Sequence, residues 1–197
     1  MKKVIFWMFM LCTTAVTAGE TKLLPAAQKD GGPGLRKILN DRHTVRSFRN
    51  KQLSDQQLAN ILWCANGINR PDGKRTAPSA LNKQEVMIFL AASDGGYFYD
   101  PAKHLLVKIT GKDLRKSCGR YDAPCYLILV PDKAKQSREI FAAVDTGYVS
   151  QNIYLAAQSE GLGTCAMGSI SDRAELIKEL NLGKNTPLLV HPVGFPR

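Results

Sequence analysis

Histidine is scarce in this sequence. His43, His104 and His191 are its three, far apart and near no acidic cluster. No two cysteines have Cys-x-x-Cys spacing, so neither a zinc site nor a thioredoxin-like dithiol is expected. No repeat of roughly 20–50 residues recurs, which argues against solenoids and propellers. No segment is of low complexity. Basic residues outnumber acidic ones, 27 to 17, for a net charge of +10. Yet no block of five or six like charges occurs. Scattered cations fit a solvated surface with an anionic ligand better than a nucleic-acid partner. No apolar run reaches the roughly 20 residues that a membrane span needs. What remains is ordinary globular composition, 44% hydrophobic and 22% charged, in 197 residues, enough for one domain.

The N-terminus stands apart. Lys2 and Lys3 precede an unbroken apolar run, Val4 to Cys12, and Val16-Thr17-Ala18 offers small residues for cleavage. This pattern predicts a bacterial-style signal peptide over 1–18 and export to the periplasm or beyond, without a stable membrane anchor. Processing at Gly19 would leave a net charge of +8, since it removes two lysines and no acid. Four cysteines would survive. In an oxidising compartment Cys118 and Cys125, with six residues between them, are expected to pair.

Residues 19–34 are polar and end in Asp30-Gly31-Gly32-Pro33-Gly34, a flexible lead-in to a domain over 35–197. A short helix is expected from Leu35 to Leu39. Ser54 and Gln57 form a capping box for a helix to about Ala65, with Leu58, Ile61 and Leu62 at helical spacing. Strands are expected over Glu85–Ala92, Leu105–Thr110, Cys125–Val130 and Leu188–Phe195, with antiparallel ribbon from Tyr97. The longest helix should span 138–160 and end at Gly161. Asp172 should cap another, to about Leu182. The interleaving suits an α+β layered domain rather than a doubly wound sheet.

Three segments offer more than core. Arg42-His43-Thr44-Val45-Arg46 sets two guanidinium groups, an imidazole and a hydroxyl within five residues, a set able to bind a phosphate. An exposed basic turn explains it as well. Ala77 to Gln84 concentrates Ser79, Asn82 and Gln84, which could read the polar edge of a heterocycle or simply form a polar connection. Gly161 to Ser169 holds glycines at 161, 163 and 168, allowing close backbone approach to a flat ligand. It follows a helix rather than a strand, so it is not the dinucleotide fingerprint.

Together these segments resemble the FMN-dependent nitroreductase family. Its opening Arg-Arg/His-Ser/Thr-x-Arg/Lys-x-Phe motif is matched by Arg42 to Phe48. Its Pro-Ser-x-x-Asn-x-Gln is matched by Pro78 to Gln84. Its Gly-Leu-Gly-Thr loop begins at Gly161, and its Pro-Val-Gly-x-Pro runs from Pro192 to Pro196. Arg75 to Ala80 and Tyr97 to Leu106 look most like the SagB-type dehydrogenase branch. That branch carries a Leu-Tyr-Pro turn where this sequence has Asn82-Lys83-Gln84, so its peptide dehydrogenase activity is not carried over.

The resemblance implies a three-layer fold with a mixed, mainly antiparallel sheet between helices. It implies a homodimer with FMN at the interface and a small-molecule substrate. Arg42, His43 and Thr44 would hold the FMN phosphate, and Arg46 the N1/O2 edge of the ring. Ser79, Asn82 and Gln84 would touch ring or ribityl chain, from either subunit. Ala166, Met167, Gly168 and Ser169 would lie beside the ring. No side chain is implied as nucleophile, because the flavin carries the chemistry. The competing expectation is a secreted binding domain without turnover, which the cationic surface favours.

Overall fold

The computed structural model describes residues 20–197; the expected signal peptide lies outside the described residues. Seven strands form one sheet in the order β1-β4-β3-β2-β5-β7-β6. They are β1 (Thr21–Leu23), β2 (Val86–Ala92), β3 (Gly95–Asp100), β4 (Leu105–Thr110), β5 (Cys125–Pro131), β6 (Gly163–Thr164) and β7 (Leu189–Gly194). The expected α+β fold is observed, and every strand pairing among the described residues is antiparallel.

Strand β5 explains the layering. All seven of its residues are buried, as the apolar run Cys-Tyr-Leu-Ile-Leu-Val-Pro requires. Successive side chains point to opposite faces. Cys125, Leu127 and Leu129 join one core, with Leu58, Ile61 and Leu62 of α2 (Asp55–Asn66) and Val149 and Ile153 of α4 (Glu139–Ser159). Tyr126, Ile128 and Val130 join the other, with Cys118 of α3 (Arg115–Cys118) and Leu176 of α5 (Arg173–Glu179). Helices thus cover both faces, the three layers the motifs implied. Each fully buried leucine or isoleucine here contributes about 1.5–3 kcal/mol.

Helix α2 begins as its capping box predicts: Ser54 Oγ accepts from the Gln57 N–H and Gln57 Oε1 from the Ser54 N–H, both at 3.1 Å. Asp172 Oδ1 accepts from the Glu175 N–H at 2.9 Å and caps α5, which ends at Glu179, earlier than expected. Helix α1 (Leu35–Asp41) lies against α4.

Two expectations need correction or extension. Cys118 and Cys125 are both free thiols. Seven positions apart in sequence, they belong to opposite cores with the sheet between them. The segment read as a flexible lead-in contributes edge strand β1, which pairs with β4. It is held further by His104, whose Nε2 donates to Pro25 O at 3.1 Å while its Nδ1 accepts from Tyr99 Oη at 2.9 Å. Burial lowers the His104 pKa and so favours the neutral ring this arrangement uses.

Candidate functional site

Leaving α1, the chain runs through Arg42 to Phe48 beside the glycine-rich loop. The Val45 N–H donates to Thr164 O at 2.9 Å. Gly163 is required for this approach: a Cβ there would lie 2.5 Å from Val45 Cβ. Two segments more than a hundred residues apart are thereby locked side by side. Arg46 and residues 165–171, together with Arg120 and Tyr121, line a cleft of about 380 Å3.

Tyr154 of α4 ties the cleft from behind. Its hydroxyl accepts from the Ala166 N–H at 2.8 Å and lies 3.4 Å from Thr44 Oγ1, to which it can donate. The Arg42 guanidinium sits 5.2 Å from the centroid of the Tyr154 ring, a cation–π contact. His191 of β7 packs edge-on against the same ring. Its Nε2 lies 2.9 Å from Ser150 Oγ and its Nδ1 3.2 Å from Thr164 Oγ1. Burial pushes the His191 pKa down to about 3, so the imidazole is a neutral structural link rather than a proton carrier.

The loop backbone divides its donors. The Ala166 N–H goes to Tyr154, and Met167 exchanges hydrogen bonds with Val190 on β7. The Gly168 N–H meets no protein acceptor among the described residues, and a Cβ on Gly168 would face open space. A flat ligand lying over this loop would find an available donor and no side chain in its way.

The structure therefore gathers Arg46, Ala166, Met167, Gly168 and Ser169 in one cleft, with Arg42 and Thr44 joined to it through Tyr154. His43 points elsewhere: its ring Nδ1 lies 2.9 Å from Asp41 O on the exposed surface. Ser79, Asn82 and Gln84 do not line this cleft within one chain. They form a self-contained turn in which Ser79 Oγ accepts from the Gln84 N–H at 2.9 Å and Gln84 Nε2 donates to Asn82 Oδ1 at 3.1 Å. Arg75 Nε also donates to Gln84 Oε1, at 3.1 Å. Backbone φ is positive at Leu81, Asn82 and Gln84, an unfavourable conformation for residues with a Cβ. The turn is tied to α4 by Asp145, whose Oδ2 accepts from the Ala80 N–H at 2.8 Å.

Four residues escaped the sequence reading: Tyr154, His191, Arg120 and Tyr121. Tyr154 sits in α4 with no local signal to mark it. Nothing in the sequence around His191 marks its partners, which come from α4 and β6.

The nitroreductase family model matches residues 39–195. A Methanocaldococcus jannaschii protein carrying the nitroreductase name is 30% identical over 180 residues, 81% of this chain and 90% of its own. A solved structure under the same name, from Ralstonia eutropha, superposes with a TM-score of 0.85 at 32% identity, covering 92% of this chain and 91% of its own. A third, from Desulfovibrio desulfuricans in complex with FMN, has a TM-score of 0.62 at 21% identity, covering 84% and 88%. With the motifs of Arg42–Phe48 and Gly161–Thr164 side by side in a matching fold, this chain belongs to the nitroreductase family, a family of oxidoreductases.

Proposed function

We propose that this chain is an exported FMN-dependent oxidoreductase that passes hydride or electrons to a small organic acceptor. The observation carrying this is the cleft itself: Arg46, which forms no ion pair among the described residues, lines it with a loop that has an open glycine and an N–H without a protein acceptor there. Those features fit a flat, electron-accepting ring. The solved relative whose name includes FMN supports the same choice of ring. Arg42 and Thr44 offer a guanidinium and a hydroxyl to the phosphate, with His43 on the exposed flank. When bound, FMN supplies the redox chemistry; the chain positions and tunes it. A cation such as Arg46 beside the ring stabilises the reduced, anionic form and raises its potential.

A second copy of the chain completes the site. Helix α4 exposes Ile140, Ala143, Val144, Gly147 and Tyr148 along one stripe, with Ile140 67% and Tyr148 47% exposed. Exposed Leu35, Leu39 and Leu81 add to the apolar surface. A soluble monomer rarely leaves such a surface uncovered. Self-association across it would cover the stripe and bring Ser79, Asn82 and Gln84 of each copy towards the other's cleft. In sedimentation, Val144→Glu should convert a dimer to monomer.

The visible absorbance spectrum of the purified chain tests for the flavin. Arg42→Ala should then weaken FMN binding roughly 10- to 150-fold, the loss of one charge-assisted contact. An unchanged affinity removes Arg42 from the phosphate site. Mass spectrometry of protein from the cell envelope should find Gly19 at the N-terminus; retained Met1 on cytoplasmic protein refutes export.

A further inference from the structure

A second cleft, of about 550 Å3, adjoins the first. Arg49, Arg115, Lys116, Arg120 and Arg197 line it, against Asp113 and Asp122. Arg115 is already engaged, gripping Asp113 through Nε at 2.9 Å and a terminal nitrogen at 2.6 Å. Arg49, Lys116, Arg120 and Arg197 form no ion pair among the described residues. Four such cations facing one concavity repel one another and outnumber the carboxylates left beside them. A bound anion would balance them.

Several of the groups are held in place. Arg49 Nε donates to Pro196 O at 2.8 Å. The Arg120 guanidinium lies 5.2 Å from the Tyr121 ring centroid and donates to its hydroxyl at 3.1 Å. Tyr121 is itself clamped: its N–H donates to Tyr126 Oη at 3.1 Å, and that hydroxyl donates back to Tyr121 O at 2.6 Å. The two clefts are contiguous. Arg120 and Tyr121 line both. Between them Gly119 packs so close to the glycine-rich loop that a Cβ would come within 2.9 Å of Met167 Cε.

We propose that this cationic cleft binds the phosphate, pyrophosphate or carboxylate group of the small molecule that exchanges electrons in the adjoining cleft. The anion site stands on the cations alone; its link to electron transfer rests on the flavin proposal above. Arg120 and Tyr121 would see both the charged end and the reacting end of one ligand.

The test uses the Arg49→Ala/Lys116→Ala double variant, which leaves the first cleft intact. Inorganic pyrophosphate is titrated calorimetrically, at fixed ionic strength, into the FMN-saturated protein. Saturable binding is expected, weaker by roughly 10- to 100-fold in the variant, with FMN affinity unchanged. No saturable binding, or equal binding by both proteins, overturns the site. A parallel loss of FMN affinity also overturns it, because the cleft would then hold the flavin's own phosphate. If the chain takes up no flavin, the same titration is run without it, so the anion site and the flavin proposal fail separately.

Steady-state kinetics identify the ligand. A raised KM for 4-nitrobenzoate, with kcat and the KM for neutral nitrobenzene unchanged, makes it the acceptor. Competition by pyrophosphate against a nicotinamide dinucleotide, with the KM for that donor raised, makes it the donor. Neither effect, with pyrophosphate still bound, overturns the link to electron transfer.

Discussion

Replacing Glu85 by glutamine should abolish a pH-dependent loss of stability. Glu85 is 0% exposed and neither carboxyl oxygen has a hydrogen-bond donor among the described residues. Burial, reinforced by the neighbouring Asp145 carboxylate, pushes its pKa from 4.5 up to about 7; its own backbone amide and, more weakly, Lys135 oppose the shift. Asp145 is committed, since it holds the Ala80 N–H and with it the strained 79–84 turn. The folded chain therefore keeps a proton on Glu85 that the unfolded chain releases. Stability is unaffected below about pH 4.5, falls as pH rises through the window up to about 7, and stays low above it. At 1.36 kcal/mol per pKa unit the loss is at most about 3 kcal/mol. Glutamine is neutral throughout and can donate its amide to Asp145. Denaturant unfolding of both proteins from about pH 5 to 8 gives the comparison. The variant should gain on the parent steadily, reaching about 2–3 kcal/mol at the alkaline end. His104 and His191, whose depressed pKa values act in the opposite direction, are common to both and cancel in the difference. Parallel stability curves would refute a buried Glu85 that keeps its proton in the folded chain.

Gly163→Ala should destabilise the fold by about 1–3 kcal/mol and weaken flavin binding, because the new methyl collides with Val45; Val45→Ala should restore both. Equal melting temperatures for Gly163→Ala and the parent would contradict the close approach. Tyr154→Phe removes the acceptor of the Ala166 N–H and should cost about 1–3 kcal/mol in denaturant unfolding, whereas a neutral effect would mean the hydroxyl ties nothing together. Thiol titration of unfolded, unreduced protein should count all four of Cys64, Cys118, Cys125 and Cys165. In the folded chain Cys118 and Cys125 should react slowly, since burial raises both thiols, Cys125 to about 12. A count two short would restore a bridge.

Short-range signals decided what could be read along the chain. The Ser54/Gln57 capping box set the start of α2, and the apolar run from Cys125 foretold a strand buried on both faces. Strand β4 lies where its apolar run predicted, and Gly161, with φ +68°, follows α4 as expected. Each depends on residues a few positions apart, so sequence spacing carries the physics. Of the two segments singled out by their spacing, Arg46 and the stretch from Cys165 to Ser169 line one cleft. Tertiary structure decided the rest. Tyr154 reaches Thr44 across 110 positions, and His191 joins Ser150 to Thr164 from three elements. Neither contact has a local signature. Cys118 and Cys125, near in sequence, are separated because the pleat sends them to opposite cores. Ser79, Asn82 and Gln84 carry the right motif yet stand away from the cleft of their own chain. Distance in space follows from sheet order and helix packing, which no window of neighbouring residues encodes.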